Sequence, residues 1–125
     1  MSQTELEAKR TEIMQIMSEW LLVLRSALNV TQEQIAFSVG MSRQTYSALE
    51  LNKKKVTWNA FLSLFLFFML NEKSRNLLSK KPGYIYTVFI LLDANAENLD
   101  INNLSGVGKE KLSDSTEEIF KGKFS

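Results

Sequence analysis

Hydrophobic residues near the start of the chain recur at the spacing of an amphipathic helix. Between residues 13 and 28, one set of apolar side chains recurs at steps of three and four positions. This pattern predicts a first helix from about Thr4 to Leu28. Thr4 and Glu7 have the spacing of a capping box, and Thr11 is an alternative start.

Two short helices separated by a tight turn are predicted next. Asn29 tolerates the left-handed backbone conformation and is predicted to close the first helix. Thr31 and Gln34 have capping-box spacing and open a second helix that runs to about Ser38. Gly40 then supplies the positive φ that the turn requires.

A third helix follows Ser42, whose side chain is suited to an N-cap. We predict that this helix ends near Leu51, with Asn52 as its left-handed cap. Tyr46 and Leu49, three residues apart, share one face of the helix and are predicted to hold it against the core.

Thr57 caps a predicted fourth helix that runs to about Asn71. Almost every residue from Phe61 to Leu70 is apolar. A helix that is apolar on all sides is buried on all sides. We therefore expect one face to pack on the first three helices and the other to meet a second layer or a second subunit.

The strongest break in the pattern is the segment 80–83, which contains the only proline of the chain. The apolar run 84–92 that follows has the length and β-branched content of a strand, but it lacks a hairpin partner, so a helix is favoured. Residues 93–125 form a polar, acidic tail, predicted to be flexible unless it forms one short helix. That helix would contain Leu112, Ile119 and Phe120.

Charge is unevenly distributed along the chain. Residues 1–81 contain eleven Lys and Arg side chains against seven Asp and Glu, whereas residues 82–125 contain four against seven. Attraction to phosphate depends on the local surface rather than on the net charge of +1. We predict a basic helical domain over residues 1–80 and a C-terminal extension over residues 81–125, in which segment 84–92 serves dimerisation or the core.

Cysteine and histidine are both absent from the sequence. Disulfide bonds, Cys/His zinc sites and catalytic arrangements that need His or Cys are therefore excluded. These exclusions remove most common enzyme chemistries, and we predict no enzyme activity, no metal and no cofactor.

The first twelve residues are polar, which is not typical of a signal peptide. The apolar run 61–70 is far shorter than the ~20 residues that span a bilayer. These features predict a cytoplasmic protein that does not bind a membrane.

The segment from Thr31 to Glu50 combines these signals into a helix-turn-helix. Ala36 is small where the second helix crosses the third, and Gly40 makes the turn between them. The outward face of the third helix then presents side chains that are short or suited to bidentate hydrogen bonds. These are Ser42, Arg43, Gln44, Ser47 and Ala48.

This segment resembles the lambda-repressor-like, Cro-type (XRE) helix-turn-helix family, and the resemblance covers about Arg25 to Leu70. It implies an all-α fold, a lambda-repressor-like five-helix DNA-binding domain with a C-terminal extension. The matching positions are Thr31-Gln32, Ala36, Gly40, Ser42-Arg43 and Leu49-Glu50.

Three positions depart from the family pattern. Tyr46 stands where Ile or Val is usual, so its hydroxyl is expected to reach water or a phosphate. Ala48 stands where a basic or polar residue is common, so this chain has fewer side chains that can contact DNA. Asn52 stands where Gly is usual, and both residues accept a left-handed cap.

The resemblance implies that the third helix enters the major groove of double-stranded DNA. Arg43 is then suited to guanine O6 and N7, and Gln44 to adenine N6 and N7. The other base contacts are expected from Ser42, Ser47 and Ala48. Contacts with the DNA backbone are expected from Gln32, Thr45, Lys53, Lys54 and Lys55.

The predicted function is a transcriptional regulator, a repressor that reads an inverted-repeat operator as a homodimer. The homodimer is predicted because two apolar patches exposed on a monomer favour aggregation. Two alternatives stay open. One is an antitoxin that binds a protein partner through its acidic C-terminal tail, and the other is a protein-interaction module that no longer binds DNA.

Overall fold

The computed structural model describes residues 2–95, and this part of the chain contains helices but no strand. The predicted all-α fold is therefore confirmed for these residues. None of their helices is both long enough and apolar enough to cross a membrane. The helices are α1 (Gln3–Leu28), α2 (Gln32–Ser38), α3 (Arg43–Glu50), α4 (Trp58–Leu70), α5 (Glu72–Ser79) and α6 (Tyr84–Leu91).

The limits of α1 agree with the hydrophobic pattern, but its N-cap does not. The Ser2 hydroxyl accepts a hydrogen bond from the Glu5 amide and donates one to the Glu5 carboxylate, both at 3.1 Å. Thr4 and Thr11, the two predicted starts, both lie inside the helix. The pattern was ambiguous because Ser2 and Thr4 each stand three residues before a glutamate. Asn29 closes α1 with a φ of +54°, as predicted.

The described residues form two compact units, and the larger comprises residues 14–80. It holds most of α1 and all of α2 to α5. Each of these helices contributes at least one buried apolar side chain, so all five are anchored in the core of the unit. The buried apolar side chains are Met17, Leu21, Leu24, Ile35, Ala36, Tyr46, Leu49, Val56, Phe61, Leu64, Phe65, Phe68, Met69 and Leu78.

Helix α4 is apolar throughout, yet it is not buried on all sides. Its predicted cap is present, since the Ala60 amide donates to the Thr57 hydroxyl at 3.2 Å. Leu66 and Leu70, one turn apart, are 57% and 39% exposed. Burial on every side is therefore not achieved within one chain. That a second subunit covers Leu66 and Leu70 stays a prediction.

Helix α5 is the fifth helix, which the family resemblance implied without placing. Its apolar residues Leu77 and Leu78 are too few to give a recognisable period. The buried Ser74 hydroxyl lies 2.6 Å from the Phe68 carbonyl oxygen and 3.1 Å from that of Asn71. These contacts link the end of α4 to the start of α5.

The second unit comprises residues 2–13 and 81–95 of the described chain. Gly83 has a φ of +74° and directly precedes α6. The helix favoured for this apolar run is therefore confirmed, and the strand alternative was wrong. The Tyr84 hydroxyl donates to the Ile13 carbonyl at 3.4 Å, and its burial raises the pKa of Tyr84 above the ordinary value.

Two predictions about the C-terminal part stay predictions. The short helix with Leu112, Ile119 and Phe120 lies outside the described residues. The division into a domain over residues 1–80 and an extension over residues 81–125 also stays a prediction.

Candidate nucleic-acid interface

Helix α2 begins with the predicted capping box. The Gln34 amide donates to the Thr31 hydroxyl at 3.0 Å, and the Thr31 amide donates to the Gln34 side-chain oxygen at 2.8 Å. Two amides that lack partners within the helix are satisfied in this way. The start of α2 is therefore determined by residues that are adjacent in the sequence.

The turn between α2 and α3 is built around Gly40, which has a φ of +75°. The Met41 amide donates to the Ala36 carbonyl at 3.0 Å, and the Gly40 amide donates to the Phe37 carbonyl at 3.2 Å. This pair of bonds is the Schellman arrangement that reverses the chain after a helix. A Cβ on Gly40 would meet no atom within 4 Å. Glycine is thus favoured there by backbone conformation rather than by lack of space.

Helix α3 is capped at both ends by its own sequence. The Ser42 hydroxyl accepts from the Thr45 amide at 3.0 Å and donates to the Thr45 hydroxyl at 2.9 Å. At the other end, Asn52 has a φ of +59°, and the Lys53 amide donates to the Ala48 carbonyl at 2.8 Å. Both caps agree with the prediction. They stabilise an eight-residue helix that is too short to be stable alone.

The two faces of α3 are clearly separated. Tyr46 and Leu49 are buried, as predicted, and hold the helix in the core. The predicted base-reading side chains all lie away from this inner face, some fully exposed and some partly exposed. Exposed are Ser42, Arg43 and Gln44, and partly exposed are Ser47 and Ala48.

The residues predicted to bind the DNA backbone lie at the edges of this face. Lys53, Lys54 and Lys55 are exposed and follow the two residues that end α3, so three cationic side chains lie just beyond the helix. The amides of Lys53 and Lys54 both donate to the Ala48 carbonyl, at 2.8 and 3.2 Å, which ties the basic loop to the helix. Thr45 and Gln32 are partly exposed.

A partly buried ion pair links the C-terminal end of α3 to α1. Arg25 binds the carboxylate of Glu50 with two hydrogen bonds, from Nε to Oε2 at 2.8 Å and from Nη2 to Oε1 at 2.7 Å. Its Nη1 donates to the Val30 carbonyl at 3.0 Å, and the Gln32 amide donates to Glu50 Oε1 at 3.3 Å. This cluster connects the last residue of α3 to α1 and to the start of α2.

The charges of this cluster stabilise each other. Burial alone raises the pKa of Glu50, but the hydrogen bonds from Arg25 and Gln32 outweigh it, and the net effect lowers that pKa below its ordinary value. The hydrogen bonds to Glu50 also raise the pKa of Arg25. Both side chains therefore stay charged, as a bidentate ion pair requires.

The hydroxyl of Tyr46 does not lie where the sequence predicted. Its side chain is fully buried, so its hydroxyl does not reach water or a phosphate. The hydroxyl interacts electrostatically with Glu50 and Arg25, but its geometry does not meet that of a hydrogen bond. Burial raises the pKa of Tyr46 well above its ordinary value, and the phenol stays neutral.

Sequence reasoning missed two features of this site. The ion pair joins Arg25 to Glu50, which are 25 positions apart in the sequence. The only signal for it was an arginine before the motif and a glutamate at the end of the motif. Leu51 was expected only to end α3, yet its large apolar side chain is 59% exposed. Exposure of a leucine depends on tertiary packing and has no local sequence signal.

The comparison with family models agrees with this geometry. Residues 23–57 match the model described as Helix-turn-helix, a segment that runs from the second half of α1 to the start of α4. No curated protein and no solved structure matches the chain.

Proposed function

We infer that the chain is a DNA-binding regulator of the Cro-type XRE helix-turn-helix family, because residues 23–57 match the helix-turn-helix model and contain the predicted motif. From this premise we propose that the protein is a transcriptional regulator that reads specific DNA sequences through the outward face of α3. The observation that carries the proposal is the separation of the two faces of α3. Its inner face is buried, while its hydrogen-bonding side chains lie together on the other side.

Base reading is assigned to the first turn of α3. Arg43 and Gln44 are exposed, and their planar groups fit the paired donors and acceptors of guanine and adenine in the major groove. Each such bidentate pair contributes about 1–3 kcal/mol of discrimination. Ser47 and the Ala48 methyl lie on the same face one turn later.

Ser42 has a more restricted role. Its hydroxyl hydrogen already binds Thr45 Oγ1, and one lone pair accepts from the Thr45 amide. One lone pair of the Ser42 hydroxyl stays free. We therefore assign it to a base that presents an amino group, such as cytosine N4 or adenine N6.

Backbone binding is assigned to residues around this face. The Thr45 hydroxyl accepts from Ser42 and keeps its own hydrogen for a phosphate oxygen. Gln32 donates one amide hydrogen to Glu50 and has a second for a phosphate. Lys53, Lys54 and Lys55 supply sequence-independent attraction.

A homodimeric repressor is the finer form of this proposal. The exposed Leu66 and Leu70 of α4 offer an apolar strip for a second copy. Two copies related by a two-fold axis read two half-sites about 34–36 Å apart, which corresponds to an inverted repeat. Binding of a dimer over a promoter would block transcription. The cytoplasm is the location that the sequence predicted.

A protein-interaction module or antitoxin is the second candidate. One observation favours it: Phe37, on the outward side of α2, is 87% exposed. A large aromatic side chain in this position fits an apolar protein partner.

In vitro selection from random duplex DNA tests the proposal, with the oligomeric state measured by light scattering. We expect an enriched inverted repeat bound by a dimer. Arg43→Ala should remove the preference for the base that Arg43 reads, whereas Lys54→Ala should weaken binding to all sequences alike and reduce its salt dependence. A folded protein that enriches no sequence contradicts the proposal and favours the interaction module.

A further inference from the structure

Leu51 is a large apolar residue exposed at the end of α3. It is the C-cap of α3, and its amide still makes a helical hydrogen bond, donating to the Ser47 carbonyl at 3.0 Å. The reversal of the chain is made by the next residue, Asn52. Ending the helix therefore does not require a leucine at position 51, and a 59% exposed side chain contributes little to the core.

Helical geometry places Leu51 on the face assigned to base reading. It follows Gln44 by seven residues, Ser47 by four and Ala48 by three, and residues at these spacings share one side of a helix. The side chains on this face differ between the two ends of the helix. Its first turn carries hydrogen-bonding groups, and its last turn carries the apolar side chains of Ala48 and Leu51.

The major groove presents one strongly apolar group, the C5 methyl of thymine. We propose that Leu51, together with Ala48, contacts this methyl and makes thymine a specific base of each half-site. The inference rests on the proposed function, because it assumes that α3 lies in the major groove. The rise of 1.5 Å per residue separates Gln44 and Leu51 by about 10 Å along the helix. Because the major groove winds around the DNA axis, the thymine is expected at most about three base pairs from the base pair read by Gln44.

Deoxyuridine tests this contact, because it differs from thymidine only by the missing methyl. The operator enriched by the wild-type protein is prepared with each thymidine replaced in turn by deoxyuridine, and the dissociation constants are measured. Gln44→Ala identifies the base pair read by Gln44. In each half-site we expect one replacement, within about three base pairs of that base pair, to weaken wild-type binding about three- to five-fold, which corresponds to the burial of one methyl group.

The Leu51→Ala variant completes the test. It should bind the thymidine operator about three- to ten-fold more weakly, since it loses several buried methyl and methylene groups. It should also lose most of the preference for the thymidine operator over the deoxyuridine operator, with only the contact of Ala48 left. The matched control is Leu22→Ala, which changes an equally exposed leucine on α1 (54%) and should keep the wild-type preference for thymidine. The deoxyuridine series with the wild-type protein gives its result even when the Leu51 variant does not fold.

The outcomes separate this inference from the proposed function. If a sequence is enriched but no deoxyuridine replacement weakens binding, the thymine contact is overturned and the regulator remains. The same holds if Leu51→Ala keeps the full preference for thymidine. If the wild-type protein enriches no DNA sequence, both the regulator and the thymine contact are overturned.

Discussion

Helices α3 and α4 are neighbours in the sequence and expose different chemistry. α3 buries Tyr46 and Leu49 and exposes polar side chains such as Arg43 and Gln44. α4 has no charged residue from Trp58 to Leu70, and its exposed side carries leucines. The difference teaches that stability and recognition depend on different helices. Large buried side chains of α4 stabilise the fold, while the outward side chains of α3 can change without disturbing it.

The substitution Phe68→Ala in α4 should have the largest effect on stability. Phe68 is fully buried, and loss of its ring leaves a cavity that lowers the free energy of unfolding by about 3–5 kcal/mol. Urea unfolding followed by circular dichroism measures the change. Leu66→Ala is the matched control two residues away, and its expected loss is below ~1 kcal/mol. Equal losses for both variants contradict the assignment of an inner and an outer side to α4.

The next largest effect is expected from Glu50→Gln at the end of α3. The Glu50 side chain is only 5% exposed, and neutralising its carboxylate leaves Arg25 without its ion-pair partner. Breaking a buried ion pair costs about 3 kcal/mol, although the pair itself contributes less than this to stability. Glu33→Gln on α2 is the control, because Glu33 is exposed. A loss no greater than that of the control shows that the ion pair does not hold α3.

The same ion pair predicts a dependence of stability on acid. The folded-state pKa of Glu50 is lowered, so its contribution is fully present above the unfolded value of about 4.3. It is lost as the pH falls through the lower folded pKa. The free energy of unfolding of Glu50→Gln should therefore change less with pH in this range than that of the wild type. Parallel curves for the two proteins contradict the assignment.

An intermediate effect is expected from Gly40→Ala in the turn before α3. The φ of +75° costs an alanine about 1–2 kcal/mol, and the added methyl meets no neighbouring atom. Thermal unfolding measures this loss. Gly40→Asn should lose less, because asparagine accepts the left-handed conformation more readily. Equal losses for alanine and asparagine indicate that the turn changes its conformation in the variants.

The smallest effects on stability are expected from Arg43→Ala and Gln44→Ala. Both side chains are exposed, so the free energy of unfolding should change by less than ~0.5 kcal/mol. Each variant should nevertheless lose the preference for the base that its side chain reads, which makes these variants the reverse of Phe68→Ala. A large loss of stability in either variant shows that the outward face of α3 also supports the fold.

Much of the fold could be predicted because its signals are local. The caps at Thr31, Ser42 and Thr57 and the left-handed residues Gly40 and Asn52 each depend on a few neighbouring positions. The N-cap of α1 was predicted wrongly, since the overlapping pairs Ser2–Glu5 and Thr4–Glu7 both have capping-box spacing. Helix α5 was not placed because its eight residues contain too few apolar positions to show a period.

The candidate site was predicted less completely than the fold. The outward side chains of α3 follow from helical periodicity once Tyr46 and Leu49 are placed inside. The surroundings of the Tyr46 hydroxyl do not follow from it, because they depend on Arg25 of α1 and on the end of α3. Contacts between segments that are far apart in the sequence produce no recognisable sequence pattern.

The sequence by itself determined where α2 and α3 begin and end, and which face of α3 turns outward, since caps and periodicity act within a few residues. Only the tertiary structure decided that Arg25 meets Glu50 and that Leu51 is exposed. The physical reason is that burial and pairing depend on the packing of helices against one another. That packing brings together residues that no local pattern connects.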